Sequence, residues 1–196
     1  MFVHSRTPPN PSPAFLKFGG AYLDHDVLLL KDHSQFFDES FLNDPKTAFY
    51  LDSFSAGNPV FVLESPITLS NGFILCPNTG RCTGQSSIIL KLWLKNYAKT
   101  YKNMKQSWSN SSTKTIFKLS QKFPENITIF NNIFIRPNWV ENLEKLTGKN
   151  AHFDWSDNFN VHLGLRGSEI KLEGVEDFMY LENSLGDILR YVVCGN

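Results

Sequence analysis

Two aspartates separated by one residue, Asp24 and Asp26, are the residues of this 196-residue chain whose types and spacing best suit chemistry. In an extended chain, side chains at positions i and i+2 point to the same side, so both carboxylates would face one site while His25 faces the other way. Carboxylate oxygens are the ligands that Mg²⁺ and Mn²⁺ prefer. A cation held there could bind phosphate oxygens and, as a Lewis acid, neutralise the charge on a departing diphosphate.

The residues around this pair extend the pattern. Gly19 and Gly20 lie just upstream, and a residue without Cβ lets the backbone approach a ligand closely. Asp24 and Asp26 form the only acidic pair at this spacing in the chain. The pair alone is a weak motif, because two surface acids at the end of a strand are the simpler explanation. The surrounding sequence therefore decides between the two interpretations.

The elements that would position the pair can be predicted from periodicity. Residues 21–30 predict a strand that enters a buried sheet, and residues 86–105 predict the strongest helix. One face of that helix is apolar, and another is lysine-rich and expected to be solvated, with an acidic membrane surface or partner as the minority interpretation. The apolar set is Leu90, Leu94, Tyr97 and Tyr101, and the basic set is Lys91, Lys95, Lys99 and Lys102.

Further strands and helices are predicted in alternation, which is typical of the α/β class. One helix is predicted over residues 137–148, with Pro137 in its first turn, and a last helix begins with Asn183 or Ser184 as its cap. The apolar residues of the last helix are Leu185, Ile188, Leu189 and Val192. The predicted strands cover residues 48–51, 60–63, 72–76, 127–130, 133–135 and 159–165.

The segment that contains the acidic pair resembles a known family. Residues 17–26 have the sequence KFGGAYLDHD. They are similar to the DXD sugar-binding segment of the alpha-1,4-glycosyltransferases, the group of lactosylceramide alpha-1,4-galactosyltransferase and alpha-1,4-N-acetylglucosaminyltransferase. The family pattern is Lys-Tyr-Gly-Gly, one residue, then Tyr-Leu-Asp-x-Asp. Looser similarities follow in the same order at Asn71-Gly72-Phe73, Pro137-Asn138-Trp139, Asn160-Val161-His162-Leu163 and the last helix ending in Cys194.

The resemblance implies a function and a set of site residues. It implies a GT-A-like nucleotide-sugar transferase fold and a hexosyltransferase that moves galactose or N-acetylglucosamine from a UDP-sugar to a galactose-ended glycolipid or glycan. The linkage would be alpha-1,4, with retention of configuration, Mn²⁺ or Mg²⁺ as cofactor, and a place in glycosphingolipid biosynthesis in the Golgi. Asp24 and Asp26 would hold the metal, and no catalytic residue is assigned. The implied nucleotide-sugar-binding residues are Gly19, Gly20, Tyr22, Asp24, Asp26, Asn71, Gly72 and His162.

Some departures from the family favour an alternative. The chain lacks the family's nucleotide-binding first half, so residues 1–196 are expected to form a single partial catalytic domain, truncated at the N-terminus. Residues 1–13 are expected to be irregular because they contain four prolines. Gly164 stands where the family has a Trp. A catalytically inactive relative, acting as a binding or interaction protein, is therefore the alternative function. An unrelated metal hydrolase ranks last, because the five histidines are dispersed along the sequence.

Composition limits partners and compartment. The 19 basic residues balance the 19 acidic ones, which gives no indication of nucleic-acid binding. No apolar run approaches the roughly 20 residues of a membrane span, and no signal peptide is recognised, so membrane association is expected only through a missing N-terminal anchor. The cysteines Cys76, Cys82 and Cys194 fit either one disulfide with one free thiol or three buried thiols.

Overall fold

The computed structural model describes residues 2–4, 19–34, 59–76, 87–100, 112–131, 143–164 and 170–195. Where the sequence predicts a single partial domain, the chain divides into two compact units. Unit 1 comprises Met1–His25 and His33–Asn131, and unit 2 comprises Asp26–Asp32 and Asn132–Asn196. The chain therefore first passes from unit 1 to unit 2 between His25 and Asp26.

The described elements are strands and helices in mixed order, which confirms the α/β class. The strands are β1 (Phe2–His4), β2 (Gly20–Leu23), β3 (Val27–Leu29), β4 (Val60–Ser65), β5 (Thr68–Cys76), β6 (Thr128–Asn131) and β7 (Asn160–His162). The α-helices are α1 (Ser87–Thr100), α2 (Thr113–Lys122), α3 (Val175–Met179) and α4 (Ser184–Cys194). A 3₁₀ turn at Pro124–Asn126 and a π-helical turn at Leu143–Thr147 complete the set.

Unit 1 contains a five-stranded mixed sheet in the order β1-β2-β5-β4-β6. The outer pairs β1–β2 and β4–β6 are parallel, whereas β2–β5 and β4–β5 are antiparallel. Almost every residue of β5 is buried, as expected for a central strand covered on both faces. The predicted strands 60–63, 72–76 and 127–130 are confirmed with small shifts of their ends.

Helices α1 and α2 contribute the helical side of the unit 1 core. The predicted helix 86–105 is confirmed over Ser87–Thr100, but its buried face includes Trp93, while Leu94 is only partly buried. Lys91, Lys95 and Lys99 are exposed, as predicted. Tyr101 and Lys102 lie outside the described residues. The main buried residues of this core are Tyr22, Phe61, Leu69, Ile74, Cys76, Ile89, Leu90, Trp93, Ile116, Leu119 and Ile127.

Unit 2 contains the antiparallel pair β3–β7, in which Val27 faces His162 and Leu29 faces Asn160. Its hydrophobic cluster joins this pair to helices α3 and α4. The predicted last helix is confirmed, and Asn183 is its cap, because the Asn183 side chain accepts a hydrogen bond from the Gly186 N–H at 3.1 Å. Val192 is 39% exposed and does not join the cluster. The buried members are Leu30, Leu146, Val161, Phe178, Leu185, Ile188 and Leu189.

The predicted strand over residues 21–30 is wrong in its middle. Strand β2 ends at Leu23 and β3 begins at Val27, with a turn at His25 and Asp26 between them. The physical reason is a change of hydrogen-bonding partner, since β2 pairs within the unit 1 sheet and β3 pairs with β7. Asp24 and Asp26 therefore do not lie on one continuous strand, contrary to the prediction from the sequence.

The remaining expectations have separate outcomes. Residues 1–13 were expected to be irregular, but Phe2–His4 form β1, because these residues pair in parallel with β2. The predicted strands 48–51 and 133–135, and the start of the helix predicted over 137–148, lie outside the described residues. Leu146 of that segment is fully buried in the π-helical turn. No helix in the described part of the chain is long and apolar enough to cross a bilayer.

The cysteines match one of the two alternatives. Cys76 is fully buried and disulfide-bonded, and Cys194 is a free, exposed thiol. One disulfide with one free thiol is therefore confirmed, and three buried thiols is wrong. Disulfides form and persist in oxidising compartments.

Candidate functional site

In unit 1, Asp24 lies directly after β2 and is fixed by two hydrogen bonds. Its backbone N–H donates to the Gly72 carbonyl at 2.9 Å, which extends the β2–β5 ladder by one residue. The Tyr22 hydroxyl donates to Asp24 Oδ1 at 2.7 Å. Tyr22 itself is 1% exposed and belongs to the core. The sheet and a buried tyrosine therefore hold the half-buried Asp24 carboxylate in place.

Asn71 lies next to Gly72 on β5, close along the ladder to the Asp24 backbone. It is 3% exposed, and its Nδ2 has no hydrogen-bond partner among the described residues. Buried amide groups are nearly always paired, so an unpaired donor here is available to a ligand or an ordered water. Asn71 and Gly72 therefore lie beside Asp24 on the neighbouring strand.

Gly19 and Gly20 have a conformational role at the start of β2. Both are buried, with φ angles of 66° and 104°. Side-chain-bearing residues rarely adopt such angles, so the entry into β2 requires glycine for conformational reasons. Gly20 also lies four strand residues before Asp24, about 13 Å along an extended chain. The structure does not bring these two glycines to the acidic pair.

In unit 2, Asp26 and His162 form a close polar pair. His162 Nε2 lies 3.2 Å from Asp26 Oδ1, and the two side chains are 12% and 29% exposed. The Leu163 N–H donates to the Asp26 carbonyl at 2.8 Å, which continues the β3–β7 ladder into the turn. This bond places the turn beside the end of β7, and so places Asp26 beside His162. An interaction between two little-exposed polar groups is stronger than the same pair in water.

The chemistry of this pair fits a divalent cation. Asp26 offers a carboxylate oxygen and His162 an imidazole nitrogen, and each atom can be a metal ligand. A carboxylate oxygen suits Mg²⁺ and Mn²⁺, while an imidazole nitrogen favours transition metals, so the two together favour Mn²⁺ over Mg²⁺. Asp24 is two residues from Asp26, and this connection keeps their Cα atoms within about 7 Å of each other.

Two other acidic residues, Asp154 and Asp157, precede His162 in the sequence. Asp154 Oδ1 accepts hydrogen bonds from the Ser156 hydroxyl at 2.7 Å and the Ser156 N–H at 3.0 Å. Both hydrogen bonds lower the pKa of Asp154 below its usual value, and the bond from the Ser156 hydroxyl has the larger effect. Asp157 is exposed. Neither acid contacts His162 in any described hydrogen bond, as expected for loop residues.

Unit 2 also contains a half-open cleft of about 280 Å³ that the sequence did not indicate. Its walls are mostly apolar, and the Trp155 and Tyr191 rings meet there at 5.1 Å with a tilt of 58°. The predicted site residues take no part in it. The lining residues are Leu30, Lys31, Trp155, Ser156, Asn158 and Tyr191.

We predict that Tyr22→Phe lowers the free energy of unfolding by about 1–2 kcal/mol, because a half-buried carboxylate loses a hydrogen bond from a buried hydroxyl. Urea unfolding followed by circular dichroism measures the change. Tyr180→Phe is the matched control, since Tyr180 is 86% exposed and its variant should leave stability unchanged. Equal stabilities of the two variants would show that Tyr22 does not hold Asp24.

No protein-family model, curated protein or solved structure matches the chain. Each unit therefore contributes its own candidate residues: Asp24 is held by Tyr22 in unit 1, and Asp26 is paired with His162 in unit 2.

Proposed function

We propose that the chain is a metal-dependent hexosyltransferase that uses a UDP-sugar as donor and a galactose-ended glycolipid or glycan as acceptor. The observation that carries the proposal is the Asp26–His162 pair at 3.2 Å, far apart in sequence and little exposed. These are the two residues of unit 2 that the family resemblance assigns to the donor site. A GT-A-like arrangement and an alpha-1,4 linkage with retention are part of the same proposal.

The proposed cation ligands of unit 2 are Asp26 and His162, and Asp24 of unit 1 is proposed as a metal ligand from the family resemblance alone. When bound, Mn²⁺ would supply Lewis-acid neutralisation of the diphosphate leaving group. The chain's own residues hold the ligands in position: the Tyr22 hydroxyl orients the Asp24 carboxylate, and the β3–β7 ladder orients Asp26 towards His162. Asn71 offers an unpaired amide N–H, suited to an oxygen of the donor.

The compartment proposed is the Golgi lumen. A disulfide-bonded Cys76 supports an oxidising environment, which the secretory pathway provides and the cytosol does not. Cys76 is buried in β5 opposite Gly20, in the same sheet that carries Asp24. Reduction of the Cys76 disulfide is therefore expected to lower the stability of unit 1.

A second candidate function is a non-catalytic relative that binds a partner. One observation favours it: each acid of the pair already interacts within the protein, Asp24 with the Tyr22 hydroxyl and Asp26 with His162. Such contacts satisfy the carboxylates without a cation. The two candidates differ in whether the chain turns a donor over.

Release of UDP distinguishes these candidates. The full chain is incubated with Mn²⁺ and either UDP-galactose or UDP-N-acetylglucosamine, with lactose as a galactose-ended acceptor, and UDP is measured against buffer. We expect release that requires Mn²⁺ and stops on chelation. Donor binding without release would identify the non-catalytic relative. Absence of both Mn²⁺-dependent donor binding and release would exclude a transferase.

A further inference from the structure

Asn160 is a buried polar residue that the proposed metal site does not use. It is 0% exposed, at the start of β7. Both polar atoms of its side chain, Oδ1 and Nδ2, have no hydrogen-bond partner among the described residues. An amide buried in this way costs free energy unless something else satisfies it, and most buried amides are paired. The residue therefore indicates a ligand or an ordered water at this position.

The strand geometry places Asn160 with His162. Val161 between them is fully buried in the hydrophobic cluster, opposite Leu28. Since successive side chains of a strand alternate, Asn160 and His162 both lie on the other face. Their Cα atoms are about 6.6 Å apart along the strand. The unpaired amide is thus the neighbour of the residue that contacts Asp26.

The two unpaired atoms restrict the chemistry of the ligand. Nδ2 needs an acceptor and Oδ1 needs a donor. A phosphate oxygen would satisfy only Nδ2, and a cation would satisfy only Oδ1. A pair of neighbouring hydroxyl groups satisfies both, because each hydroxyl can donate and accept. Sugars carry such pairs, and a nucleotide-sugar offers them on its ribose and on its hexose.

We propose that Asn160 binds adjacent hydroxyl groups of a nucleotide-sugar whose diphosphate is held at Asp26 and His162. The inference rests on the proposed function and deepens it, since it assigns a sugar-recognising residue to the donor site. Asn160 recognises the donor through hydroxyl groups, whereas the metal ligands bind it through charge.

Isothermal titration with three probes tests the assignment: Mn²⁺ with pyrophosphate, Mn²⁺ with UDP, and Mn²⁺ with UDP-galactose. Asn160→Leu should leave pyrophosphate affinity unchanged and weaken a hydroxyl-bearing probe about 10- to 100-fold, because a bidentate amide contact is lost. If the variant loses affinity for both UDP and UDP-galactose, Asn160 contacts the ribose hydroxyls. If it loses affinity for UDP-galactose alone, Asn160 contacts the hexose hydroxyls. The midpoint temperature of thermal unfolding of the Asn160→Leu variant should rise by a few degrees, since an unpaired buried amide is removed.

Two further variants serve as a replacement and as a control in this experiment. Asn160→Val, which suits a strand, replaces the leucine variant if that does not fold, and the same affinities are expected of it. Asn158→Leu removes another buried asparagine of unit 2 and should leave the affinity for all three probes unchanged.

The outcomes separate this inference from the proposed function. Unchanged affinity of both Asn160 variants for UDP and UDP-galactose would overturn the sugar contact and leave an ordered water as the partner of the amide, while the metal site stands. A wild-type protein that binds Mn²⁺ with pyrophosphate but neither hydroxyl-bearing probe would overturn it as well. A wild-type protein that binds none of the three would refute the proposed function, and the inference with it.

Discussion

Asp26→Asn is expected to weaken Mn²⁺-dependent binding of UDP by about 100-fold or more, because the charged oxygen ligand is lost while the size of the side chain is kept. The expected loss of affinity is large because Asp26 is only 29% exposed and His162 is 12% exposed. Water has little access to the pair, so it screens the interaction of the carboxylate with a cation only weakly. Asp24→Asn should also weaken binding. Titration of each variant with UDP in the presence of Mn²⁺ measures both effects.

Asp157→Asn is the matched control for this prediction. Asp157 is an exposed acid of unit 2 with the same side chain and the same change in net charge. Its variant should bind UDP as the wild type does, because surface charges act weakly at a distance in salt. If Asp26→Asn and Asp157→Asn bind UDP equally well, the Asp26–His162 pair is structural and does not hold a cation.

Trp93→Ala is expected to lower the free energy of unfolding of unit 1 by about 3–5 kcal/mol, through lost burial and a residual cavity. Trp93 is 1% exposed, packs edge-on against Phe61 at 5.9 Å, and donates from Nε1 to the Ser112 carbonyl at 3.1 Å. The variant loses all three contributions. Because this core supports the sheet that carries Asp24, the site should also become less ordered.

Ile88→Ala is the control on the same helix. Ile88 is 42% exposed, and alanine is a good helix former, so its variant should change stability by less than about 0.5 kcal/mol. Urea unfolding followed by circular dichroism, without reductant so that the Cys76 disulfide stays intact, compares the two variants. A Trp93→Ala variant as stable as Ile88→Ala would contradict the packing of α1 against the sheet.

The elements predicted most accurately were those whose signal is local. The last helix was predicted because Asn183 is a good cap and apolar residues follow at helical spacing, and α4 begins at Ser184, directly after that cap. Helix α2 was not predicted. Its apolar residues are few, and its buried face includes the polar residues Thr113 and Ser120, which sequence patterns assign to the surface.

The break between β2 and β3 could not be predicted for a different reason. Apolar residues flank Asp24-His25-Asp26 on both sides, so the pattern over residues 21–30 resembles one strand. What ends β2 at Leu23 is the choice of hydrogen-bonding partner, β5 in one sheet and β7 in the other. Pairing partners are distant in sequence, and local periodicity does not encode them.

The candidate site was predicted in part. The resemblance placed His162 in the same site as Asp26, and these two side chains are in contact. Asp24 and Asp26 do not share one continuous strand as predicted, because β2 ends at Leu23 and β3 begins at Val27. Gly19 and Gly20 are explained by backbone conformation. Asn160 was missed, although a polar residue at a buried strand position two residues from a histidine could have indicated it.

The central claim is that Asp26 and His162 hold a divalent cation, and electron paramagnetic resonance with Mn²⁺ tests it most directly. We predict that the protein removes the free-ion spectrum at a stoichiometry of one Mn²⁺ per chain. The bound ion should show nitrogen coupling from an imidazole, and His162→Gln should abolish that coupling. A free-ion spectrum that persists in the presence of the protein, or bound Mn²⁺ without nitrogen coupling in the wild type, would contradict the account.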